Sequence, residues 1–377
     1  MRVLELPANN SPRKQGQIHG ETFRPLIKEI AAIRMELCLA LGHLQTTDQL
    51  EQLAAQHLPL LQRWLPQTHE ELLGIAEAAD IPIEHIVVLN HYTDLRDLED
   101  RRTQAAPDFA PLTAERTHKI DIAELPGEED CSALYARCHE GVFLGQTWDM
   151  HGSAAPYVMM MYVPATPDAP AAWMLTITGC LGLAGLNAAG VGVTINNLRS
   201  TDAQIGLVWP SLVRTALTKR STVEARDVIL DSPVGSGHHY LIASSQFCYG
   251  IETSGTQKKI VFDGVAESYV HTNHCLDQDI AQFTTQAAES TSQERYDEMI
   301  RHLRHAPIRQ FDDMWVHLGS HNGYPRSVCS HLASVEKPHA SRTCGAITMN
   351  LSSVYATAAP GCVHRAWPHL FEFEGAT

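Results

Sequence analysis

The stretch Cys131-Ser132-Ala133-Leu134-Tyr135-Ala136-Arg137-Cys138-His139-Glu140-Gly141-Val142-Phe143-Leu144-Gly145-Gln146-Thr147-Trp148-Asp149 decides the reading of this chain. Two apolar, strand-like runs flank a turn at His139-Glu140-Gly141, which predicts a β-hairpin with strands over 131–138 and 142–149. The first strand opens on a thiol and the second ends on a carboxylate. Just upstream lies the acidic run Gly127-Glu128-Glu129-Asp130. A free thiol has a pKa near 8.5 and an α-amine about 7.7–8.0. If the backbone is cut between Asp130 and Cys131, both groups sit on one residue. The amine then takes the thiol proton without a separate histidine. Asp149 would orient that amine as the third group of a triad orients its base.

The two sides of Cys131 differ in pattern. Upstream, Ile18, Phe23, Leu26, Ile27, Ile30, Ile33 and Leu37 recur at helical spacing. Leu50, Leu53, Leu58, Leu61 and Leu65 continue it in pieces broken by Pro59 and Pro66. Thr68, with Glu71 three residues on, predicts a capped helix running to Ala79. Residues 99–130 carry charges, Pro107, Pro111, Pro126 and Gly127 and little periodicity, and read as an exposed linker. Downstream, short apolar runs separated by glycine predict further strands at 157–163, 172–178, 191–197, 239–244, 248–253, 259–263 and 345–351. Helical stretches are expected over 206–231 and over 291–318, with a break near Pro307. Residues 1–130 therefore read as a helical pro-segment or α-subunit. Residues 131–377 read as a β-subunit of two antiparallel sheets, the two together forming one domain.

Composition bounds the function. At 377 residues, 44% apolar and 19% charged, the chain has the make-up of a soluble globular protein with room for a large core. A net charge of −15 argues against nucleic acid, which requires a basic face. Most of the excess acid precedes Cys131, with 12 Lys and Arg against 22 Asp and Glu, compared with 16 against 21 from Cys131 onward. No run of about 18 apolar residues suggests a membrane span, and Met1–Pro7 lacks the apolar core of a signal peptide. A cytoplasmic location is the expectation. The nine cysteines follow no pattern, and no CxxC, HExxH or HxxEH occurs, so neither a disulfide framework nor a metal site is expected. His238, His239, His271 and His274 lack a thiol or carboxylate at helical spacing to complete a ligand set. The eight cysteines other than Cys131 are expected in the core. No Gly-rich phosphate motif and no G-x-S-x-G occurs, and no cofactor is expected.

Four segments carry a family resemblance. Cys131-Ser132-Ala133 followed by Gly145-Gln146-Thr147-Trp148-Asp149 resembles the mature start of the acyl-CoA:6-aminopenicillanic acid acyltransferase family. The run Gly182–Leu198, GLAGLNAAGVGVTINNL, is similar to that family's Gly-rich hairpin ending in Asn-Asn-Leu. Tyr269-Val270-His271-Thr272-Asn273-His274 resembles its Thr-Asn-His segment. His321-Asn322-Gly323-Tyr324-Pro325-Arg326-Ser327-Val328-Cys329 resembles its late Tyr-Pro-x-Ser-x-Cys segment. The chain departs from the pattern at Asp130, where the family usually has Gly. At Gln146 it differs from the related bile-salt hydrolases and penicillin V acylases, which usually have Arg there.

The resemblance implies an N-terminal-nucleophile (Ntn) hydrolase, an α+β fold of four layers, αββα, with self-cleavage between Asp130 and Cys131. Cys131 is the expected nucleophile and Asp149 the residue that orients its amine. Asn273 and one of Asn196 and Asn197 are the expected oxyanion donors, since side-chain amides stabilise such charge without carrying one. Trp148, Tyr324 and Arg326 are candidates for substrate contact. The expected reaction is hydrolysis of a small N-acyl amine. The alternatives are transfer of the acyl group, from a CoA thioester or an amide, to an amine, and an uncleaved binding protein without activity. The cleaved fragments should stay associated, and a homo-oligomer is left open.

Overall fold

A computed structural model describes residues 1–42, 44–105, 131–287 and 290–373, with residues 99–105 described as backbone only. Asp130 and residues 106–129 of the expected linker lie outside the described residues. The chain opens with β1 (Arg2–Glu5) and six helices: α1 (Pro12–Thr22), α2 (Arg24–Leu41), α3 (Thr47–Ala55), α4 (Leu58–Trp64), α5 (Pro66–Ala79) and α6 (Ile83–Ala105). There follow β2 (Cys131–Cys138), β3 (Gly141–His151), β4 (Val158–Val163), β5 (Ala172–Ile177), β6 (Ala184–Asn187), β7 (Gly192–Leu198), α7 (Trp209–Ala216) and α8 (Thr222–Asp231). The remainder is β8 (Gly237–Ala243), β9 (Cys248–Thr253), β10 (Lys258–Gly264), β11 (Ser268–His271), α9 (Gln278–Ala281), α10 (Ser292–His305), α11 (Asp313–Leu318), β12 (Ser341–Asn350), β13 (Tyr355–Pro360) and β14 (His369–Glu372).

Among the described residues the strands form two sheets. One has eight strands in the order β1-β4-β5-β6-β7-β8-β9-β10, the other six in the order β11-β2-β3-β12-β13-β14. All pairings are antiparallel except β1 with β4, which is parallel. The inner faces meet through residues such as Ala133, Tyr135, Leu144, Trp148, Met160, Leu175, Leu186 and Ile347, all buried in one continuous core. The N-terminal helices with α7 and α8 cover the outer face of the larger sheet. On the other side, Leu134, Ala136, Phe143 and Val270 meet Met299, Leu303, Met314 and Leu318 of α10 and α11 in a second, smaller core. The result is the four-layer αββα arrangement. Central strands such as β5 and β8 are buried along their whole length, which is why they read as continuous apolar runs rather than alternating ones.

Several boundaries differ from the sequence expectation, each for a local reason. Thr68 is not an N-cap: α5 begins two residues earlier with Pro66 at its first position, where a missing N–H costs nothing. Thr68 Oγ1 instead donates to the Leu65 carbonyl at 3.0 Å. The stretch 206–231 divides into α7 and α8, with Ser221 capping the second by accepting from Glu224 N. Helix α6 runs to Ala105, into the segment expected as linker. The N-terminal segment also contributes a strand, β1, in register with Met159–Tyr162 of β4. Among the described residues no helix is long and apolar enough to cross a membrane.

Helices α1 and α5 cross closely enough to require glycine. A Cβ at Gly74 would lie 2.1 Å from the Arg13 carbonyl oxygen, and one at Gly16 would lie 2.0 Å from that of Glu71. Both obstacles are backbone, which cannot swing aside. Gly74→Ala should therefore lower the unfolding free energy by about 1–3 kcal/mol, the usual cost of overpacking. Urea denaturation measures this, and an unchanged midpoint would show that the two helices separate freely.

Candidate active site

Strands β2 and β3 pair from Cys131↔Trp148 to Cys138↔Gly141, so the hairpin register places Cys131 beside the end of β3. Cys131 is buried, 4% exposed, with its Sγ 4.0 Å from the Asp149 carbonyl oxygen. Asp149 is fully buried. It lies opposite Thr343 of β12, where the pairing skips Cys344 in a bulge before Gly345 meets Trp148. Such a bulge bends a strand and re-aims its neighbours.

The backbone of Cys131 is gripped at both ends. Its nitrogen donates to Asn273 Oδ1 at 2.7 Å. Its carbonyl accepts from Asn196 Nδ2 at 3.1 Å and from Arg295 Nη1 at 2.8 Å. Asn273 follows the end of β11. Its own N–H donates to Ser292 Oγ at 2.7 Å and its Nδ2 to the Asn197 carbonyl at 2.9 Å. Asn273 Oδ1 also accepts from Arg295 Nη2 at 2.9 Å. The two donors on one side and the carbonyl on the other leave a single orientation for this amide.

Alternation along β7 separates the two candidate asparagines. Asn196 sends its side chain to Cys131, whereas Asn197 reaches the site through its backbone carbonyl. Behind Asn196, His239 Nδ1 lies 3.2 Å from Asn196 Oδ1, and its Nε2 lies 3.2 Å from Tyr269 Oη. Burial holds the His239 imidazole well below its usual pKa. The neutral ring then donates through Nδ1 and accepts the Tyr269 hydroxyl at Nε2, which keeps Asn196 Nδ2 turned toward Cys131. His271 stacks on His239 with ring centres 3.5 Å apart and contacts Glu252 at 2.8 Å. His238 contacts Asp94 at 2.9 Å. His239 and His271 thus belong to the polar network behind Asn196, whereas His238 faces α6 on the other side of the larger sheet.

Gln146 links the sheets: its Oε1 accepts from Ile195 N at 2.7 Å. Trp148 is buried in the inter-sheet core. Tyr324 and Arg326 are exposed on the loop between α11 and β12. The base of that loop is tied to β12 by Ser330 N to Thr343 Oγ1 at 2.8 Å and Thr343 N to the Ser330 carbonyl at 3.0 Å. Thr343 is the residue that faces Asp149, so the loop is anchored at the site.

Sequence reading missed Arg295. It is 1% exposed and fills its donors with the Cys131 carbonyl, Ser132 Oγ at 2.8 Å, Asn273 Oδ1 and Thr291 Oγ1 at 3.0 Å. A signal existed. Arg295, Met299 and Leu303 recur every four residues along α10, and a guanidinium on the buried stripe of a helix needs a reason.

The four-layer fold and the family match define an enzyme of the Ntn type that acts on C–N amide bonds. The chain belongs to the acyl-coenzyme A:6-aminopenicillanic acid acyl-transferase family, whose model matches residues 137–355. It is 26% identical over 278 residues to the 40 kDa form of the acyl-coenzyme A:6-aminopenicillanic-acid-acyltransferase of Emericella nidulans, covering 73% of this chain and 70% of that protein. Among solved structures it is similar to a conjugated bile acid hydrolase from Clostridium perfringens, with TM-score 0.43 and 10% identity over 61% of this chain and 89% of that one. It is also similar to a Caenorhabditis elegans ortholog of N-acylethanolamine-hydrolyzing acid amidase, with TM-score 0.39 and 13% identity over 59% and 93%.

Arg295 offers a direct check on the geometry. Arg295→Lys keeps the charge but loses the planar fork that reaches several acceptors at once. Hydrogen bonds from charged groups contribute about 1.5–3 kcal/mol, so urea unfolding should show a loss of at least that size. Wild-type stability would mean that the fork does not hold the start of β2.

Proposed function

We propose that the chain matures by cutting itself before Cys131 and then hydrolyses a small N-acyl amine through a Cys131 acyl-enzyme. The observation that carries this reading is the grip on the Cys131 nitrogen. A buried side-chain acceptor, Asn273 Oδ1, lies 2.7 Å from it, and that acceptor would serve an amine as well as it serves an amide.

In maturation the Cys131 thiol attacks the carbonyl carbon of the preceding residue. The peptide C–N bond breaks, a thioester forms, and the freed α-amine takes the thiol proton. Water then hydrolyses the thioester, giving a carboxylate and a free thiol. In turnover the α-amine accepts the thiol proton and the thiolate adds to the substrate carbonyl. Asn273 Nδ2 carries two hydrogens, one of them given to the Asn197 carbonyl; the second would donate to the oxyanion. Asp149, at the end of β3, would hold the α-amine together with Asn273 Oδ1. The ammonium returns its proton to the leaving amine as the C–N bond breaks. A water, deprotonated by the same amine, then releases the acyl group as a carboxylate. Tyr324 and Arg326 would meet the outer part of the substrate. The likeness to an acyltransferase supports a second reading, in which an amine replaces that water. Product analysis with and without an amine acceptor separates the two.

Maturation predicts two fragments in place of one 41.6 kDa chain, the larger with Cys131 at its N-terminus. Cys131→Ala should leave a single chain on a denaturing gel. The fragments should elute together on size exclusion, because β1 is paired with β4 and the buried faces of α2 and α6 belong to the common core. An intact wild-type chain by mass spectrometry, or an N-terminal fragment that elutes separately, would overturn this.

The oxyanion role predicts that Asn273→Ala, once cleaved, loses about 10²–10³ in kcat. Asp149→Asn should also impair turnover, with cleavage scored separately because the same carboxylate serves both steps. A folded, cleaved variant with wild-type kcat would remove that residue from the chemistry.

A further inference from the structure

We infer that the loop between α11 and β12 carries a zinc site of the Cys2His2 kind, formed by His321, Cys329, His331 and Cys362. One ligand atom from each of the four lies within 4.8 Å of every other. The individual separations are more telling. His331 Nε2 lies 3.2 Å from His321 Nε2, Cys329 Sγ lies 3.5 Å from His331 Nε2, and Cys362 Sγ lies 3.4 Å from His321 Nε2. With Zn–N about 2.0–2.1 Å and Zn–S about 2.3 Å, a regular tetrahedron places nitrogens about 3.3–3.4 Å apart and sulfur about 3.5–3.6 Å from nitrogen. Three of the six separations match the edges such an ion would set, and the other three are within 4.8 Å.

Charge and surroundings agree with this. Two thiolates and two neutral imidazoles around a divalent cation sum to zero, the state a buried site tolerates best. Cys329 and Cys362 are 1% and 2% exposed, yet neither belongs to either apolar core. This differs from the core role expected for the eight cysteines and from the absence of metal expected from their spacing. Soft thiolates with imidazoles select zinc over the hard cations that prefer oxygen.

The backbone already holds the ligands in place. Cys329 N donates to the Ser320 carbonyl at 3.1 Å and His331 N to the Pro325 carbonyl at 2.9 Å. Gly361, with φ +72°, turns the chain after β13 and donates to the Cys344 carbonyl at 2.8 Å, which returns Cys362 toward the loop. Four ligands and no open position describe a structural ion rather than a catalytic one. It would clip the loop bearing Tyr324 and Arg326 to the end of β13, three strands from the strand of Cys131. The inference stands on this geometry alone and does not depend on the reaction proposed above.

The test uses the full chain, purified without a histidine tag under reducing, oxygen-free conditions. Elemental analysis should find about one zinc per chain, or uptake of about one after zinc is added and excess removed with a weak chelator. Cobalt(II) in place of zinc should show the visible bands of a tetrahedral ion together with thiolate-to-metal charge transfer. Cys362→Ser should lose the charge-transfer intensity and most of the metal, while Cys138→Ser, at the far end of β2, should keep both. The wild-type measurements decide the matter even if Cys362→Ser does not fold. Failure of the wild type to take up zinc or to give the cobalt spectrum would overturn the inference. So would a Cys329–Cys362 disulfide in the freshly isolated protein, or full metal retention in a folded Cys362→Ser.

Discussion

A buried guanidinium at the start of β2 is the constraint on which the rest of the site depends. Taking an arginine out of water costs several kcal/mol unless its donors are filled. Arg295 fills them with the Cys131 carbonyl, the Ser132 hydroxyl, the Asn273 amide oxygen and the Thr291 hydroxyl. Those acceptors come from β2, from the segment after β11 and from α10 itself. Moving any one of them strands a charged donor in the interior. The outer helix layer, the smaller sheet and the Asn273 loop are therefore fixed against one another at the residue proposed as nucleophile.

Across the gap between the sheets, the apolar core gives way to polar links at this end. Gln146 of β3 accepts from Ile195 N of β7, and Asn196 of β7 donates to the Cys131 carbonyl. Apolar packing has no direction and tolerates small slides between sheets. Hydrogen bonds between strands of opposite sheets do not, because a slide leaves both partners unsatisfied. Their placement fixes the relative position of β2, β3 and β7 at the end where an acyl group would have to be held. An arginine at position 146 could not make this link, because a guanidinium has only donors and the Ile195 N–H needs an acceptor; the amide oxygen supplies it without bringing in a charge.

What the sequence made legible follows from how each element announces itself. Strands β2, β3, β4, β5, β7, β8, β9, β10 and β12 were visible because runs such as Val-Met-Met-Met-Tyr-Val are long and apolar. Strand β6, Ala-Gly-Leu-Asn, and β13, Tyr-Ala-Thr-Ala-Ala-Pro, lack such runs. They are strands because their neighbours offer unpaired backbone, a tertiary cause that no local pattern records. Strand β1 is hidden in the same way, since a parallel partner 157 positions away supplies its ladder. The chemistry divides along similar lines. Cys131 and Asp149 are joined by a hairpin, so counting along two strands relates them. Arg295, 164 positions from Cys131, is related to it only by the fold, and so are His321 and Cys362 to the Cys329–His331 pair of the proposed zinc site. Zinc motifs are recognisable when two ligands share one tight turn. Here His321, Cys329 and His331 come from an irregular loop and Cys362 from the far side of two strands, so spacing carries no mark of the cluster.

The two sites meet at one point of the smaller sheet. Thr343 faces Asp149 across the β3–β12 ladder and bonds twice to Ser330. Ser330 lies between two of the proposed metal ligands, Cys329 and His331. The bulge at Cys344 sits in the same place, and Cys344 in turn accepts through its carbonyl from Gly361, the residue before Cys362. The ladder that positions the Asp149 carboxylate is thus braced from outside by the loop, and the loop by the turn after β13. An ion joining the loop to that turn would stiffen a brace that ends on the backbone of Asp149. It would act on the proposed reaction only through position, that of this carboxylate and of the loop carrying Tyr324 and Arg326, because its four ligands leave no place for a substrate.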